Sequence, residues 1–242
     1  MNIKLTPWEK RNLNVESSVE FYIGHDERWN DIYAELLSHD EQYQVMHIAS
    51  GNTDVLMNAP REGFLPVEMN IQLSRKLSEI QLPRIYTRFA PHISCNISTE
   101  DERKYLLDTI SEGTIFSTDK VALDPIFGVE FAGRRYSLWT QDVLNQGAEL
   151  LSMKYKEKIA AFDVLIDKGN GVCEAFLGGT LPEFRNSGLG FLAIYFITKY
   201  ASEKGFKRII TGVSSNNIPI LKLHEMFGYG VDSVSYCLIK HC

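Results

Sequence analysis

The sequence predicts an α/β (α+β) protein with a mixed central sheet flanked by helices and a smaller α/β unit at the N-terminus. In the first 75 residues, strand-like and helix-like segments alternate in the order strand, helix, strand, helix, strand. Later, three strand-like runs joined by tight turns precede a glycine-rich loop, after which helix and strand patterns alternate. We therefore expect an N-terminal unit at residues 1–75, a connector at 76–92 and a larger domain at 93–242.

The N-terminal unit is predicted from hydrophobic periodicity. Residues 25–38 have apolar side chains at helical spacing, and residues 53–58 form a short helix that ends before Pro60. One further strand is expected in the connector at residues 85–89. The strands of the unit itself are expected at residues 15–23, 44–49 and 64–73.

The larger domain begins with a helix predicted at residues 99–111, where Ser98 precedes three acidic residues in the manner of an N-cap. A long loop at residues 116–131 leads to a helix at 134–145. The next helix has apolar residues on one face from Leu189 to Ala201 and is followed by Gly205. Strands are predicted at residues 149–155, 159–166, 172–180, 208–213 and 233–239.

The most informative segment is the glycine-rich loop at residues 181–190, with the sequence LPEFRNSGLG. It delivers the chain from a strand into a helix N-terminus, where free backbone N–H groups and the helix dipole favour an anion. Arg185 adds a cation that can bind a phosphate in bidentate fashion. The loop therefore predicts a phosphate-binding site.

Two other interpretations of this loop remain at this stage. Residues 188–193 match the dinucleotide fingerprint G-x-G-x-x-G/A, which would indicate a nicotinamide-dependent oxidoreductase. That fingerprint requires an acidic residue about 20 positions later to hold a ribose, and residues 214–216 are Ser, Ser and Asn. An ordinary strand-to-helix connection with convenient glycines is the alternative without a ligand.

Two motifs in the right order resemble the GNAT acetyltransferases. Residues 185–190 match the R-x-x-G-x-G loop of that family, and residues 217–229 match its N-x-x-A-x-x-L-Y-x-x-x-G-F motif. The resemblance implies the GNAT fold, acetyl-CoA as co-substrate and direct transfer to a primary amine within a ternary complex. It also implies that the cofactor contacts Thr180, Arg185, Asn186, Ser187, Gly188, Leu189, Gly190 and Asn217.

The sequence departs from the second motif at the position of its tyrosine. The family places a tyrosine there that protonates the departing coenzyme A thiolate, and this sequence has His224. Histidine can also donate a proton, and its ordinary pKa of about 6.5 lies near neutral pH. We therefore expect His224 to be the general acid, with a surface residue of no chemical role as the alternative.

The front half resembles the dTDP-fucosamine acetyltransferases, which also place a truncated GNAT-like domain first. This resemblance implies a nucleotide-linked amino sugar as acceptor and Glu68 as the group that helps to deprotonate the amine. Asp163 and Glu174 are the rival bases, and Asp119, Lys120 and Asp124 of the long loop are expected on the acceptor side. The likeness rests on Trp8, Glu9, Val15, Ser17, Gly63, Phe64, Val67, Glu68, Val231, Asp232, Ser233 and Tyr236.

Composition limits the partners. The net charge is −6 and no block of lysine or arginine occurs, so nucleic acid is not an expected partner. No apolar run approaches the roughly 20 residues that a membrane span needs, and no signal-like segment is present. The cysteines have no metal-ligand spacing, which favours a cytoplasmic protein without a metal. The sequence leaves a homodimer open.

Three functional alternatives remain from the sequence. The first is an acetyl-CoA-dependent N-acetyltransferase, acting on an amino sugar or on a peptide or another small-molecule amine. The second is a non-catalytic acyl-CoA-binding module, in which the loss of the tyrosine reflects lost chemistry. The third, the nicotinamide-binding oxidoreductase, is disfavoured by the missing ribose carboxylate.

Overall fold

A single mixed sheet of ten strands runs through the whole molecule in the computed structural model, which describes residues 1–242. The strands are β1 (Asn2–Leu5), β2 (Ser18–Ile23), β3 (Tyr43–Ala49), β4 (Leu65–Lys76), β5 (Ile93–Ile97), β6 (Glu149–Tyr155), β7 (Lys158–Gly169), β8 (Val172–Thr180), β9 (Arg208–Ser214) and β10 (Gly230–His241). Their order across the sheet is β1-β2-β3-β10-β4-β9-β8-β7-β6-β5.

Helices cover both faces of this sheet. They are α1 (Glu9–Leu13), α2 (Trp29–Leu36), α3 (Thr53–Asn58), α4 (Glu100–Ser111), α5 (Gly128–Asn145), α6 (Phe191–Glu203) and α7 (Ile218–Met226). On one face, α6 packs on β6 to β9, and α2 and α3 pack on β2 and β3. On the other face, α4 and α5 pack on β6 and β7, and α1 and α5 pack near β10. We call the α6 side the rear face and the α5 side the front face.

The C-terminal strand joins the two halves. In β10, Cys237 lies opposite His47 of β3 on one side and opposite Glu68 of β4 on the other. The predicted boundary near residue 75 falls at the end of β4, whose two neighbours in the sheet, β9 and β10, come from the second half of the chain. The division into two units stays a prediction, but their strands belong to one sheet.

Most predicted elements are present with small shifts of their ends. The strands Glu149–Tyr155 and Val172–Thr180 and the helix Thr53–Asn58 have the predicted bounds. Lys156 and Glu157 both have positive φ, 48° and 64°, as the two-residue turn of a tight hairpin requires.

Several predictions about local structure were wrong. Residues predicted as a strand at 85–89 form a 3₁₀ helix, Arg84–His92, because Tyr86 stacks on Phe191 of α6 at 4.0 Å instead of pairing in the sheet. The N-cap of α4 is Thr99 rather than Ser98, with a reciprocal capping box to Glu102. Helix α5 begins six residues before the predicted start, and β1 and α1 were not predicted at all.

A buried ion pair ties α1 to α5. Arg135 donates to the carboxylate of Glu9 from Nε at 2.8 Å and from Nη2 at 2.6 Å, and both side chains are only 4% exposed. We expect Glu9→Ala to lower the free energy of unfolding by about 3–5 kcal/mol, because it leaves a buried guanidinium without its partner. Urea unfolding measures this loss. Glu16→Ala, which breaks the exposed pair with Lys10, is the control and should change stability little; equal effects of the two variants would contradict the prediction.

Candidate active site

An opening in the sheet between β8 and β9 dominates the candidate site. These parallel strands pair only at residues 172–174 with residues 208–210, and one further contact joins Thr211 Oγ1 to the Ala175 carbonyl at 2.8 Å. Beyond that point the strands separate, so residues 176–180 have a free edge toward β9. An extended molecule can pair with such an edge as an added strand would.

A β-bulge marks the place where the opening begins. Leu177 lies opposite Val164 and Ala175 lies opposite Leu165, so Phe176 has no partner in β7. The Phe176 ring packs edge-on against Trp139 of α5, with centroids 4.8 Å apart. Bulges of this kind redirect backbone and side-chain groups and are frequent beside active sites.

The glycine-rich loop lies at the end of the free edge. Asn186 and Gly188 have left-handed φ values of 59° and 78°, and α6 begins at Phe191. The backbone N–H groups of Gly188, Leu189 and Gly190 donate no hydrogen bond within the protein. A Cβ placed on Gly188 would meet nothing within 4 Å, so open space lies beside these donors. The loop therefore has the free donors and the room that an anion needs.

Polar side chains of the loop hold its shape. Arg185 Nη2 donates to the Thr114 carbonyl, and Ser187 Oγ donates to the Phe184 carbonyl at 2.5 Å. Arg185 and Ser187 are exposed. The guanidinium has five N–H donors in total, so contact with Thr114 leaves others for a ligand.

The loop, the end of β8 and helix α7 meet at Gly190. A Cβ on this glycine would lie 3.4 Å from Leu223 Cδ1 and 3.9 Å from Thr180 Oγ1. The structure thus brings together the residues predicted at Thr180 and at 185–190. Asn217 lies at the start of α7, where its Oδ1 caps the helix by accepting from Ile220 N at 3.4 Å.

His224 lies in an apolar environment. It is 7% exposed, its ring stands edge-on to Tyr229 at 4.8 Å, and Nδ1 is 2.9 Å from the Ile220 carbonyl. Nδ1 must therefore carry the proton in the neutral ring. Burial lowers the pKa of His224 to about 4. About one ring in a thousand is then protonated at pH 7, which is unfavourable for the predicted acid.

We expect His224→Phe to lower kcat less than about tenfold, because the neutral ring has no proton to give from Nε2. Steady-state kinetics at saturating acetyl-CoA measure this, with acetyl-CoA affinity as a check on the fold. A fall of about 10²–10⁴-fold would instead support the acid role predicted from the sequence.

Glu68 is a half-buried carboxylate with one oxygen free. Its Oε1 accepts from Lys120 N at 3.1 Å, and its buried Oε2 has no hydrogen-bond partner. Burial raises the pKa of Glu68, and the nearby Ser214 hydroxyl partly offsets this. Glu68 shares the front face of β4 with Asn70 and Gln72, because alternate residues of a strand point to the same side. An ionised carboxylate with a free oxygen can accept a proton.

The rival carboxylates are less suited to act as a base. Asp163 is 6% exposed and packs against Gly178 of β8, where a Cβ would collide with it. Burial raises the pKa of Asp163 well above its usual range, and a protonated acid cannot accept the proton of an amine. Glu174 forms an ion pair with Lys168 at 3.1 Å, on the paired part of β8.

The three charged residues expected to face the acceptor are engaged inside the protein instead. Asp119 accepts from Tyr136 Oη and caps Ala122 N at 3.0 Å. Lys120 Nζ lies 2.9 Å from Glu20 Oε1. Asp124 is 1% exposed and lies 2.7 Å from His241 Nε2. These contacts hold the loop beside Glu68, and its place on the acceptor side stays a prediction.

Sequence reasoning missed the polar row beside Glu68. Asn70 and Gln72 follow it on the same face of β4, and Asn70 lies against Gly212 of β9. A strict alternation of polar and apolar residues along β4 carried this signal, since Met69, Ile71 and Leu73 occupy the other face. The strand predicted at residues 64–73 therefore has a polar face, which the sequence analysis did not identify.

Two further features concern the whole chain. No group of three or more His, Cys, Asp or Glu side chains is arranged to hold a metal ion. None of the helices combines the length and the apolar character needed to cross a bilayer.

Comparisons with known proteins bear on this arrangement. Residues 121–229 match the model of the acetyltransferase (GNAT) family. No curated protein sequence matches the chain. Among solved structures, a GCN5-related N-acetyltransferase from Sphaerobacter thermophilus superposes with a TM-score of 0.62 at 13% identity, covering 99% of this chain and 76% of that one.

Two further structures are similar in fold. A GCN5-related N-acetyltransferase from Kribbella flavida gives a TM-score of 0.58 at 15% identity, covering 93% of this chain and 81% of that one. A tandem GNAT protein from the clavulanic acid biosynthesis pathway gives a TM-score of 0.53 at 14% identity, covering 88% of this chain and 68% of that one. At such identities the structures show the fold alone, which is the fold predicted from the sequence.

Proposed function

Because the chain has the GNAT fold and residues 121–229 form an acetyltransferase domain of that family, we propose that it transfers the acetyl group of acetyl-CoA directly to a primary amine. The predicted enzyme class, N-acetyltransferase, is confirmed at the level of the family. The observation that carries the finer proposal is the juxtaposition of the free edge of β8 with the unpaired N–H groups of residues 188–190.

Acetyl-CoA has one group for each part of this site: a pyrophosphate for the loop and an extended pantetheine arm for the free edge of β8. In our proposal the pyrophosphate binds the N–H groups of Gly188, Leu189 and Gly190, with Arg185, Asn186 and Ser187 around it. The pantetheine arm, which carries amide groups, begins near Thr180 beside the phosphate loop and lies along the free edge of β8. Asn217 Oδ1 caps α7, and its Nδ2 group is proposed to contact the cofactor. The thioester then lies near the bulge at Phe176.

The amine nitrogen gives up two protons in the reaction, one before the attack and one as the amide forms. An alkylammonium must lose a proton before its nitrogen can attack the thioester carbon, and Glu68 takes that proton directly or through one water. The nitrogen–carbon bond forms, the carbon–sulfur bond breaks, and coenzyme A leaves as the thiolate, while the second proton of the attacking nitrogen passes to water. The free Oε2 of Glu68 and its place on the front face support this role. His224 is retained as a proposed site residue whose acid role the Phe variant tests.

The acceptor is proposed to be an amino sugar, as the resemblance to the dTDP-fucosamine acetyltransferases first suggested. That finer resemblance, the truncated N-terminal domain and the position of the boundary near residue 75 stay predictions. So do the location in the cytoplasm, the absence of nucleic acid and membrane partners, and a homodimer.

An initial-velocity assay tests the proposed function. Coenzyme A release is followed while acetyl-CoA and an amine are both varied, using amino sugars, polyamines and peptides as acceptors. Direct transfer predicts intersecting double-reciprocal lines, since both substrates are bound together when the amine attacks. Parallel lines would indicate a covalent acetyl-enzyme and contradict direct transfer. Acetyl-CoA binding without turnover on any amine would favour the non-catalytic acyl-CoA-binding module.

A further inference from the structure

A second concave region lies on the front face of the sheet, away from the phosphate loop. It is a cavity of about 660 Å³ at the ends of β2, β3 and β10 and against β4. The side chains that matter here are those of Tyr22, His47, Asn70, Gln72, Ser233 and Ser235. All six share one face by strand alternation and register, so the cavity is built on strands rather than on loops.

The cavity reaches the edge of the opening that holds the proposed donor site. Asn70 and Gln72 stand over Gly212, where a Cβ would lie 3.4 Å from the Asn70 amide and 3.8 Å from Gln72 Oε1. Gly212 is two residues beyond Ile210, the last residue of β9 that pairs with β8. Glu68 lies two residues before Asn70 on the same face, about 6.6 Å along the strand. The proposed base therefore flanks the cavity.

Several polar groups in the cavity have no partner within the protein. The Asn70 carboxamide and the hydroxyls of Ser233 and Ser235 make no side-chain hydrogen bond, whereas Gln72 Nε2 donates to the Thr211 carbonyl at 3.0 Å. Free amide and hydroxyl groups can both donate and accept, so they suit a ligand that carries several hydroxyl groups. One ligand hydroxyl can satisfy two of them.

An aromatic platform completes the wall. The Tyr22 ring stacks on the His47 ring with centroids 4.8 Å apart and an angle of 14°, and Tyr22 is 38% exposed. Its hydroxyl is fixed by Glu20 Oε2 at 2.5 Å, and Glu20 is itself held by Lys120. Burial alone would raise the pKa of Glu20, but Lys120 and His47 hold it well below its usual range. The ring is thus a rigid apolar surface, suited to the C–H face of a sugar ring.

The cavity has no lysine or arginine side chain that could bind a phosphate. Asp232, the one carboxylate of the cavity, is paired with Arg208 at 2.5 Å. A nucleotide diphosphate brings negative charge, which would stand here unpaired and beside Glu68. An ammonium group instead can be attracted by Glu68, whose Oε2 has no partner.

We propose that this cavity binds the acceptor, and that the acceptor is a hydroxyl-rich amine of the amino-sugar class that carries no phosphate or nucleotide. This inference rests on the proposed acetyl transfer. It differs from the nucleotide-linked acceptor that the sequence suggested, and it assigns Asn70 and the Tyr22 ring to substrate recognition.

The test compares three acceptors of different chemistry: D-glucosamine, UDP-glucosamine and spermidine. We expect kcat/KM for D-glucosamine to exceed that for each of the other two by at least about tenfold. Asn70→Leu should raise KM for D-glucosamine about 5- to 100-fold with little change in kcat, since it removes one or two hydrogen bonds. Asn30→Leu, an exposed change of the same kind on α2, is the control.

Direct binding separates this inference from the proposed function. Saturation-transfer NMR with D-glucosamine requires no acetyl-CoA, so it reports the cavity alone. If D-glucosamine binds the wild type but not Asn70→Leu, and no acetyl transfer is detected, the cavity is the binding site and the proposed acetyl transfer is refuted. A higher kcat/KM for UDP-glucosamine or spermidine, or an unchanged KM for D-glucosamine in Asn70→Leu, would overturn the inference. Acetyl transfer to UDP-glucosamine or spermidine would still support the proposed function.

Discussion

Gly188→Glu, combined with Arg185→Ala, is expected to abolish acetyl-CoA binding while leaving the protein folded. The new carboxylate would stand beside the free N–H groups of residues 188–190, fill the open space there and repel the pyrophosphate. We expect affinity to fall more than about 100-fold, which corresponds to about 2.8 kcal/mol. Isothermal titration calorimetry measures it, with circular dichroism as the check on folding.

A matched variant controls for backbone strain in that experiment. Gly147 also has positive φ, 100°, and also has nothing within 4 Å of a Cβ, but it lies in the turn before β6. Gly147→Glu should suffer the same strain of about 1–2 kcal/mol and still bind acetyl-CoA normally. Unchanged affinity in the loop variant, or equal losses in both variants, would show that the loop is not the phosphate site.

Glu68→Gln is expected to lower kcat by about 10²–10⁴-fold with little change in acetyl-CoA affinity, because it removes the proposed proton acceptor and keeps the shape. The amide can still accept from Lys120 N. In the wild type, kcat/KM should fall as the pH falls through the raised pKa of Glu68, since only the ionised carboxylate accepts a proton. This fall of kcat/KM at low pH should be missing from the pH profile of Glu68→Gln.

Glu174→Gln is the control for Glu68→Gln. Glu174 was a rival base in the sequence, and its carboxylate is paired with Lys168. Its removal should leave kcat within about twofold of the wild type, as for exposed ion pairs in general. If Glu68→Gln retains parental turnover and Glu174→Gln does not, the assignment of the base is reversed.

The sequence revealed the donor side of the site better than the acceptor side, for a physical reason. The residues of the phosphate loop are consecutive and enter a periodic helix, so their spacing already indicates free N–H groups at the start of α6. The opening between β8 and β9 depends instead on where two distant strands stop pairing. A single sequence carries no signal for that separation.

The acceptor side depends on contacts across the sheet. Residues of the proposed cavity come from β2, β3, β4 and β10, and only the position of β10 between β3 and β4 brings them together. Strand order is not written in local periodicity. The burial of His224 was hidden for the same reason, because it depends on Tyr229 and on the packing of α7.

The errors in local structure also have tertiary causes. Residues at the end of the connector have the composition of a strand, yet Tyr86 and Phe89 pack on Phe191 and hold the segment as a 3₁₀ helix. The charged residues of the long loop were predicted on the acceptor side, and the ion pairs that hold the loop in place could not be predicted from its sequence.

A crystal structure of the protein with acetyl-CoA tests the proposed site most directly. We predict that the pyrophosphate oxygens lie within about 3.2 Å of the backbone nitrogens of residues 188–190. We also predict that the pantetheine arm pairs with the free edge of β8 at residues 176–180, with the acetyl group near the bulge at Phe176. Acetyl-CoA bound elsewhere, with the gap between β8 and β9 still empty, would contradict the proposed mechanism.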